Sequence, residues 1–311
     1  MNPNSLVNLL LALVCAPFLM TIINRTKAFV AGRHGPMWFQ PYYDLWKFLH
    51  KGAVYSHTTT WVFRAGPIIG LSAVIMALML VPFGNAKAPL SFSGDIILFA
   101  YLLGLGRFFT VLAALDTGSS FEGMGANREV LYSALAEPAL ILGLASVARE
   151  TGMLSISEIQ KAVTLQLWMS SGMVLAAVVA ALIVVFLTEN CRIPVDDPNT
   201  HLELTMIHEV MVLDHCGPDL AYITYGASLK LWVLGSLIVD LILPPHLDLG
   251  FPFLSSAVAI LFDLAALVVL AVIVGAIESS MARLRLVRIP QLLVGASALS
   301  VLSLILGRWG G

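Results

Sequence analysis

Residues 253–277 read FLSSAVAILFDLAALVVLAVIVGAI, twenty-five positions with one charge, Asp263. A helix needs about 20 apolar residues to cross the hydrocarbon core of a bilayer, so this stretch reads as a transmembrane helix. Seven more stretches qualify, near 6–23, 66–83, 95–115, 130–148, 167–187, 222–243 and 290–306. Spanning strands would be half as long and would alternate polar with apolar residues, so the eight are read as helices. The expected fold is an all-α integral membrane protein, a single membrane domain over residues 1–311.

Composition agrees. Of the 311 residues, 59% are hydrophobic and 12% charged, where a soluble protein has about 25% charged residues. Mean hydropathy is +0.89. So few charges cannot cover a soluble fold of this length, which rules out a soluble enzyme, a nucleic-acid binder and a disordered scaffold. The net charge of -2 excludes strong binding to polyanions. The three cysteines, Cys15, Cys191 and Cys216, include no C-x-x-C pair, and so give neither a disulfide framework nor an iron–sulfur signature.

Basic residues set the orientation. The loops after spans one, three, five and seven hold eleven Lys and Arg, from Arg25 to Arg288, against four on the other side: Lys87, Arg149, Lys161 and Arg308. The odd-numbered loops are therefore expected in the cytoplasm, with both termini outside the inner membrane. Residues 1–23 lack the basic start of a signal peptide and are kept as the first span. Two cytoplasmic loops, 24–65 and 188–219, are long and rich in Pro, His, Asp and aromatics. They are too small for cores of their own and suited to packing against another protein.

Two charges lie deep in consecutive spans, Arg107 in the third and Glu137 in the fourth. Counting from Asp116 and Arg128 places both roughly 13 Å below the surface. A lone charge there costs on the order of 3 kcal/mol, which pairing relieves. The pair reads either as a structural lock between helices or as a proton-accepting site. Pro138 favours the second, since it leaves the Ala134 carbonyl without its helical donor. Lys230, Asp263 and Asp240 add charges in spans six and seven, with Glu129 and Glu278 at helix ends. Together they are candidates for a polar path across the membrane.

None of the seven histidines falls in a span, which excludes bis-histidine haem ligation in the bilayer. His201, His208 and His215 recur every seven residues. On one helix they form a stripe, but neighbours about 10 Å apart cannot share a metal ion. A surface facing a partner subunit fits better. Asp196 and Asp197 form a pair of the kind that holds Mg²⁺ on phosphates, a weak signal alone.

Four segments together carry a family resemblance. They are Arg33-His34-Gly35-Pro36 with Gln40, Tyr42, Asp44 and Lys47; Leu115-Asp116-Thr117-Gly118-Ser119 through Arg128-Glu129 to Glu137-Pro138; Glu189-Asn190-Cys191-Arg192-Ile193-Pro194-Val195-Asp196; and Glu278-Ser279-Ser280-Met281-Ala282-Arg283. The chain resembles the complex I subunit 1 family over nearly its whole length. Only three residues separate Pro36 from Gln40, as in the energy-converting nickel–iron hydrogenase branch, whereas true complex I subunits carry a longer insertion there. Where the family's fifth loop has alternating glutamates, this chain has Asn199, His201 and Glu203. A glutamate-lined entrance is not carried over, and His201, with a pKa near neutrality, is the candidate relay beside Glu203.

The resemblance implies a non-redox membrane subunit of a hydrogenase-like or complex I-like assembly. Iron–sulfur clusters, and a nickel–iron centre where it is retained, would belong to partner chains: hydrogenase-like large and small subunits and a ferredoxin-like subunit, with antiporter-like subunits beside it in the bilayer. Arg33, Gln40, Asp44, Trp46, Lys47, Arg128, Arg192 and Asp196 are expected to dock the soluble arm. Glu137, Arg107, Glu129, Lys230, Asp263, Asp240, Glu203 and His201 are expected to carry protons or Na⁺. A quinone cavity is the rival within the family. Outside it stand a secondary transporter and an intramembrane transferase using Asp196 and Asp197.

Overall fold

The computed structural model describes residues 3–196, 206–244 and 252–307. Eight of its helices are long and apolar enough to cross a membrane, which meets the expected count. They are α1 (Pro3–Val30), α3 (Trp61–Leu78), α4 (Asp95–Asp116), α5 (Ser120–Thr151), α7 (Leu165–Glu189), α9 (Pro218–Ile242), α10 (Pro252–Ser280) and α11 (Ile289–Leu306). Three short helices, α2 (Gln40–Leu49), α6 (Ile156–Ala162) and α8 (His208–Met211), lie in the connections. The two long loops share one side of the bundle, called the loop face below; the opposite side is the far face.

Several boundaries differ from the hydropathy reading, with α1 running on to Val30 and α3 lying five residues earlier than expected; two of the helix starts have a polar reason. Helix α3 begins at Trp61 because Asp116, at the end of α4, caps it from outside. The Asp116 carboxylate accepts from Thr60 N at 2.6 Å and Phe63 N at 3.3 Å, two of the donors a helix start leaves open. Helix α5 begins at Ser120, ten residues before the apolar run, once Gly118 has turned the chain at φ +70. Glu122 in its first turn is favoured at a helix N-terminus, and the polar Asn127-Arg128-Glu129 segment is helical, with Asn127 exposed and Arg128 and Glu129 half-buried.

Helix α9 is the centre of the bundle. Of its membrane-spanning window 78% is buried, against 28–50% for the other seven. It packs against α1, α3, α7 and α10. Lipid gives no hydrophobic drive between helices, so close packing relies on small residues. A Cβ added at Gly275 in α10 would lie 2.7 Å from Thr26 Cβ and 3.0 Å from Ile23 O in α1.

Proline-freed carbonyls must find new donors in the bilayer. Pro17 leaves Leu13 O without its helical partner, and the Tyr225 hydroxyl of α9 donates to it at 2.8 Å. Around Pro138, α11 supplies Ser297 Oγ to Leu135 O at 3.2 Å and Ser300 Oγ to Ala139 O at 2.9 Å. Pro17 thus becomes a point of attachment between α1 and α9, and the turn around Pro138 is tied to α11 through the neighbouring carbonyls.

Toward the far face, Asp263 accepts from Gly84 N at 2.7 Å. Gln160 Nε2 donates to Asp240 at 2.8 Å and to Gly84 O at 3.2 Å. The two aspartates hold α6 and the turn at Gly84. Adding one methyl at Gly275 should force α1 and α10 apart, so Gly275→Ala is expected to destabilise the protein by about 1–3 kcal/mol. Gly295→Ala, which meets open space, should cost nothing. Thermal denaturation of the purified complex carrying each variant measures the difference.

Candidate functional site: a buried ion cluster

Four helices bring five charges together. Arg107 of α4 sets Nη1 at 3.0 Å from Glu137, Nη2 in contact with Glu189, and Nε 3.8 Å from Glu129. Lys230 of α9 adds its ammonium 3.7 Å from the other oxygen of Glu189. Two cations face three carboxylates. A buried charge stripped of partners is costly, so these residues fix the relative positions of α4, α5, α7 and α9.

The details correct the sequence expectation. Because α5 starts at Ser120 rather than near Arg128, Glu129 reaches the guanidinium as well as Glu137. Glu137 is not the buried member: its side chain is 47% exposed, that of Glu189 4%. The cause is helical phase. Val130, Ala134, Glu137 and Ile141 form one exposed stripe of α5, while Ala136, Ala139 and Leu140 face the core. Glu189 was missed as an ion-path residue because it closes an apolar run. Its place at the end of span five, beside the polar segment that follows, was the available signal.

Asp240 and Asp263 do not join this cluster. Asp240 lies ten residues beyond Lys230, about 15 Å along α9, with buried apolar side chains between. The candidate path is thus two separate polar groups. His201 and Glu203 lie outside the described residues, as does Asp197.

Two cavities adjoin the cluster. The larger, with about 80 Å³ of space open to water, lies between α3, α4 and α9 against α8. Gly70, where an added Cβ would meet nothing within 4 Å, leaves part of its space, and Arg107, Glu129, Lys230 and His208 supply its polar wall. The smaller has room for about one water molecule and lies among Glu129, Ser133, Thr188, Glu189, Cys191 and Asp196.

The expected docking residues divide. Helix α2 buries no residue; Trp46 is 67% exposed, Arg33 is exposed, Lys47 lies by the Phe48 ring, and Gln40 donates to Asp44 at 3.0 Å. Arg128, Arg192 and Asp196 instead turn inward. Arg128 donates to Met206 O at 2.9 Å, Arg192 pairs with Glu278 at 3.4 Å, and Asp196 pairs with Arg283 at 3.1 Å while accepting from Ile207 N and His208 N. Lys27 completes the Glu278 site at 2.8 Å. These residues bind the second long loop to the bundle, since charges this close to the bilayer are stabilised by partners rather than left bare.

The histidine stripe does not form. Helix α8 ends at Met211, and His215 stacks on Phe63 of α3 with ring centroids 3.9 Å apart. Among the described residues no three His, Cys, Asp or Glu side chains are placed to hold a metal. Burial pushes His215 down to about 4, and burial with the nearby Lys230 charge does the same for His208.

Among the described residues, a helical bundle of eight candidate spans, with charges of α4, α5 and α7 gathered around Lys230 of its central helix, defines a multi-pass membrane protein. The chain belongs to the NADH dehydrogenase subunit 1 family: the family model described as NADH dehydrogenase matches residues 4–307. It is 30% identical over 288 residues to formate hydrogenlyase subunit 4 of Escherichia coli K12, covering 92% of each chain. Hydrogenase-4 component C of the same organism is 32% identical, over 77% of this chain and 75% of that one. A subunit of the NADH-quinone oxidoreductase of Rubrobacter xylanophilus is 26% identical, over 77% and 76%. In fold, the chain superimposes on a chain of the archaeal membrane-bound sulfane sulfur reductase complex with a TM-score of 0.82, at 22% identity and 98% coverage of both.

The histidines yield a pH prediction. A histidine with a folded pKa of about 4 and an unfolded value near 6.5 favours the open state as pH falls through that window. Below pH 6.5 the 206–217 segment should lose about 1.4 kcal/mol per pH unit for each histidine that opening exposes, levelling off near pH 4. His215→Phe keeps the ring stack and should remove its share, measured as hydrogen exchange of this segment in the intact complex from pH 7 to 5.

Proposed function

We propose that this chain is the membrane subunit of a hydrogenase-like respiratory complex, seating a peripheral redox arm on its loop face and coupling electron transfer there to proton movement through the Arg107 cluster. The observation that carries the reading is the cluster itself. Three carboxylates on two cations, beside two cavities, form a site whose protonation responds to a small change in nearby charge. The relatives bearing hydrogenase names agree with it.

The arm would bring the electron carriers. The chain has three cysteines, Cys15 in α1 and Cys191 and Cys216 at the two ends of the second long loop, which does not fit the four thiolates an iron–sulfur cluster takes. Iron–sulfur chemistry, and nickel–iron chemistry if present, is assigned to the partners. With the long loops in the cytoplasm, α2 offers the arm an exposed row of Phe39, Tyr43 and Trp46 beside Lys47, the composition of an interface anchor. The exposed stripe bearing Glu137 would seat an antiporter-like membrane subunit, because a carboxylate facing lipid costs on the order of 3 kcal/mol. Proton transfer is preferred to Na⁺, since the cluster consists of ion pairs rather than a cage of neutral oxygens.

A second reading places a quinone head in the larger cavity. Its few polar groups on an otherwise apolar wall between helices favour this. A photoreactive quinone analogue that labels residues 66–74 or 222–230 would support it.

Two variants test the main reading. Glu137→Gln should leave assembly and dye-linked redox activity near wild type, while coupled proton translocation falls about 100-fold; translocation at the wild-type ratio would reduce Glu137 to a partner of Arg107. Trp46→Ala should release the soluble arm from membranes that still contain the subunit, and full retention of the arm would refute the docking role of α2.

A further inference from the structure

We infer that Glu129 is the proton-holding relay of the cluster, passing a proton between the one-water cavity under the Asp196 loop and the larger cavity between α3, α4 and α9. This rests on the coupling role proposed above and names the residue that performs it. Among the described residues, Glu129 is the side chain that lines both cavities. Arg107, Lys230 and His208 border only the larger one, and Glu189, Cys191 and Asp196 only the smaller.

Charge counting places the proton. The cluster holds two cations and three carboxylates, so once the exposed side of Glu137 is covered by its membrane neighbour, a neutral group needs one carboxyl protonated. Glu189 contacts both cations. Glu137 lies within hydrogen-bond distance of Arg107, at 3.0 Å. Glu129 is 3.8 Å from Nε, beyond that distance, and so is held least firmly as an anion. The charges on neighbouring elements leave this balance in place. Asp196 pairs with Arg283, Arg128 turns to Met206 O, and His208 is neutral at ordinary pH. Cys191 also lines the smaller cavity, as a thiol whose pKa burial raises.

The step is a plain proton transfer. The O–H bond of Glu129 breaks, the proton passes to water in one cavity, and the carboxylate left behind closes on the Arg107 guanidinium. A proton from the other cavity restores the acid. No electrons change hands. The step is driven by whatever shifts the hold of Arg107 toward or away from Glu137 and Glu189.

The test uses the whole complex. Infrared spectra of wild type minus Glu129→Gln should show one protonated-carboxyl C=O band that shifts in D₂O, whereas wild type minus Glu137→Asp and wild type minus Glu189→Asp, which keep the charge count, should not. Coupled translocation in Glu129→Gln should fall roughly 100-fold with dye-linked redox unchanged. No band in the Glu129 difference, or the band in the Glu137 difference instead, overturns the inference whether or not the complex translocates protons. A band in the Glu129 difference from a complex whose wild type moves no protons supports Glu129 as the proton holder and defeats the coupling role. If the Gln variant does not assemble, Glu129→Asp keeps the acid one methylene shorter. It should keep a shifted band, and an unshifted band overturns the inference.

Discussion

A charge inside a bilayer must find its counter-charge within the protein, and most of this structure follows from that demand. Arg107 and Lys230 each cost on the order of 3 kcal/mol at mid-membrane if left alone. Their partners come from two other helices, Glu129 and Glu137 from α5 and Glu189 from α7. The cluster thereby sets the register of α4, α5 and α7 against the central α9. The same demand acts on the backbone, where Tyr225, Ser297 and Ser300 answer carbonyls at and around the prolines of α1 and α5.

Ion pairs of this kind are poor evidence for stability, since apolar residues of similar volume often hold helices as well. Their worth lies in being adjustable. The pairs lock the helices only as long as each carboxyl keeps its charge state, so a structural lock and a proton site are one object in two states. The far-face aspartates do the quieter task, holding Gly84 and α6 through neutral donors. The polar interior is therefore divided, with a charged group toward the loop face and a hydrogen-bonded clasp toward the far face.

Much of this is legible in the residues alone. Eight apolar runs place the spans, and opposite charges at matching depth in runs three and four point to Arg107 and Glu137. Hydropathy is blind where helix and apolar run do not coincide. The first turns of α5 are helical yet polar, so by hydropathy Glu129 sits at a helix end and Glu189 at the edge of a loop. Residue type also does not separate exposed Trp46 and Lys47 from inward-turned Arg192 and Asp196. Loop charges near a bilayer serve equally to bind a partner or to fasten their own loop, and only the positions of Glu278 and Arg283 decide. The seven-residue histidine spacing misleads because α8 stops at Met211.

The central claim is that the cluster moves protons as well as joining helices, and the double variant Arg107→Met/Glu189→Met separates the two roles. It removes one cation and one carboxylate together, so the net charge of the cluster is unchanged; Lys230 loses Glu189 but keeps Glu129 on the wall of the same cavity, and the replacements are apolar side chains of similar length. The account predicts a complex that assembles with its partners and keeps dye-linked redox activity, but whose coupled proton translocation, measured in proteoliposomes, is lost. Translocation at the wild-type ratio in that variant would contradict it.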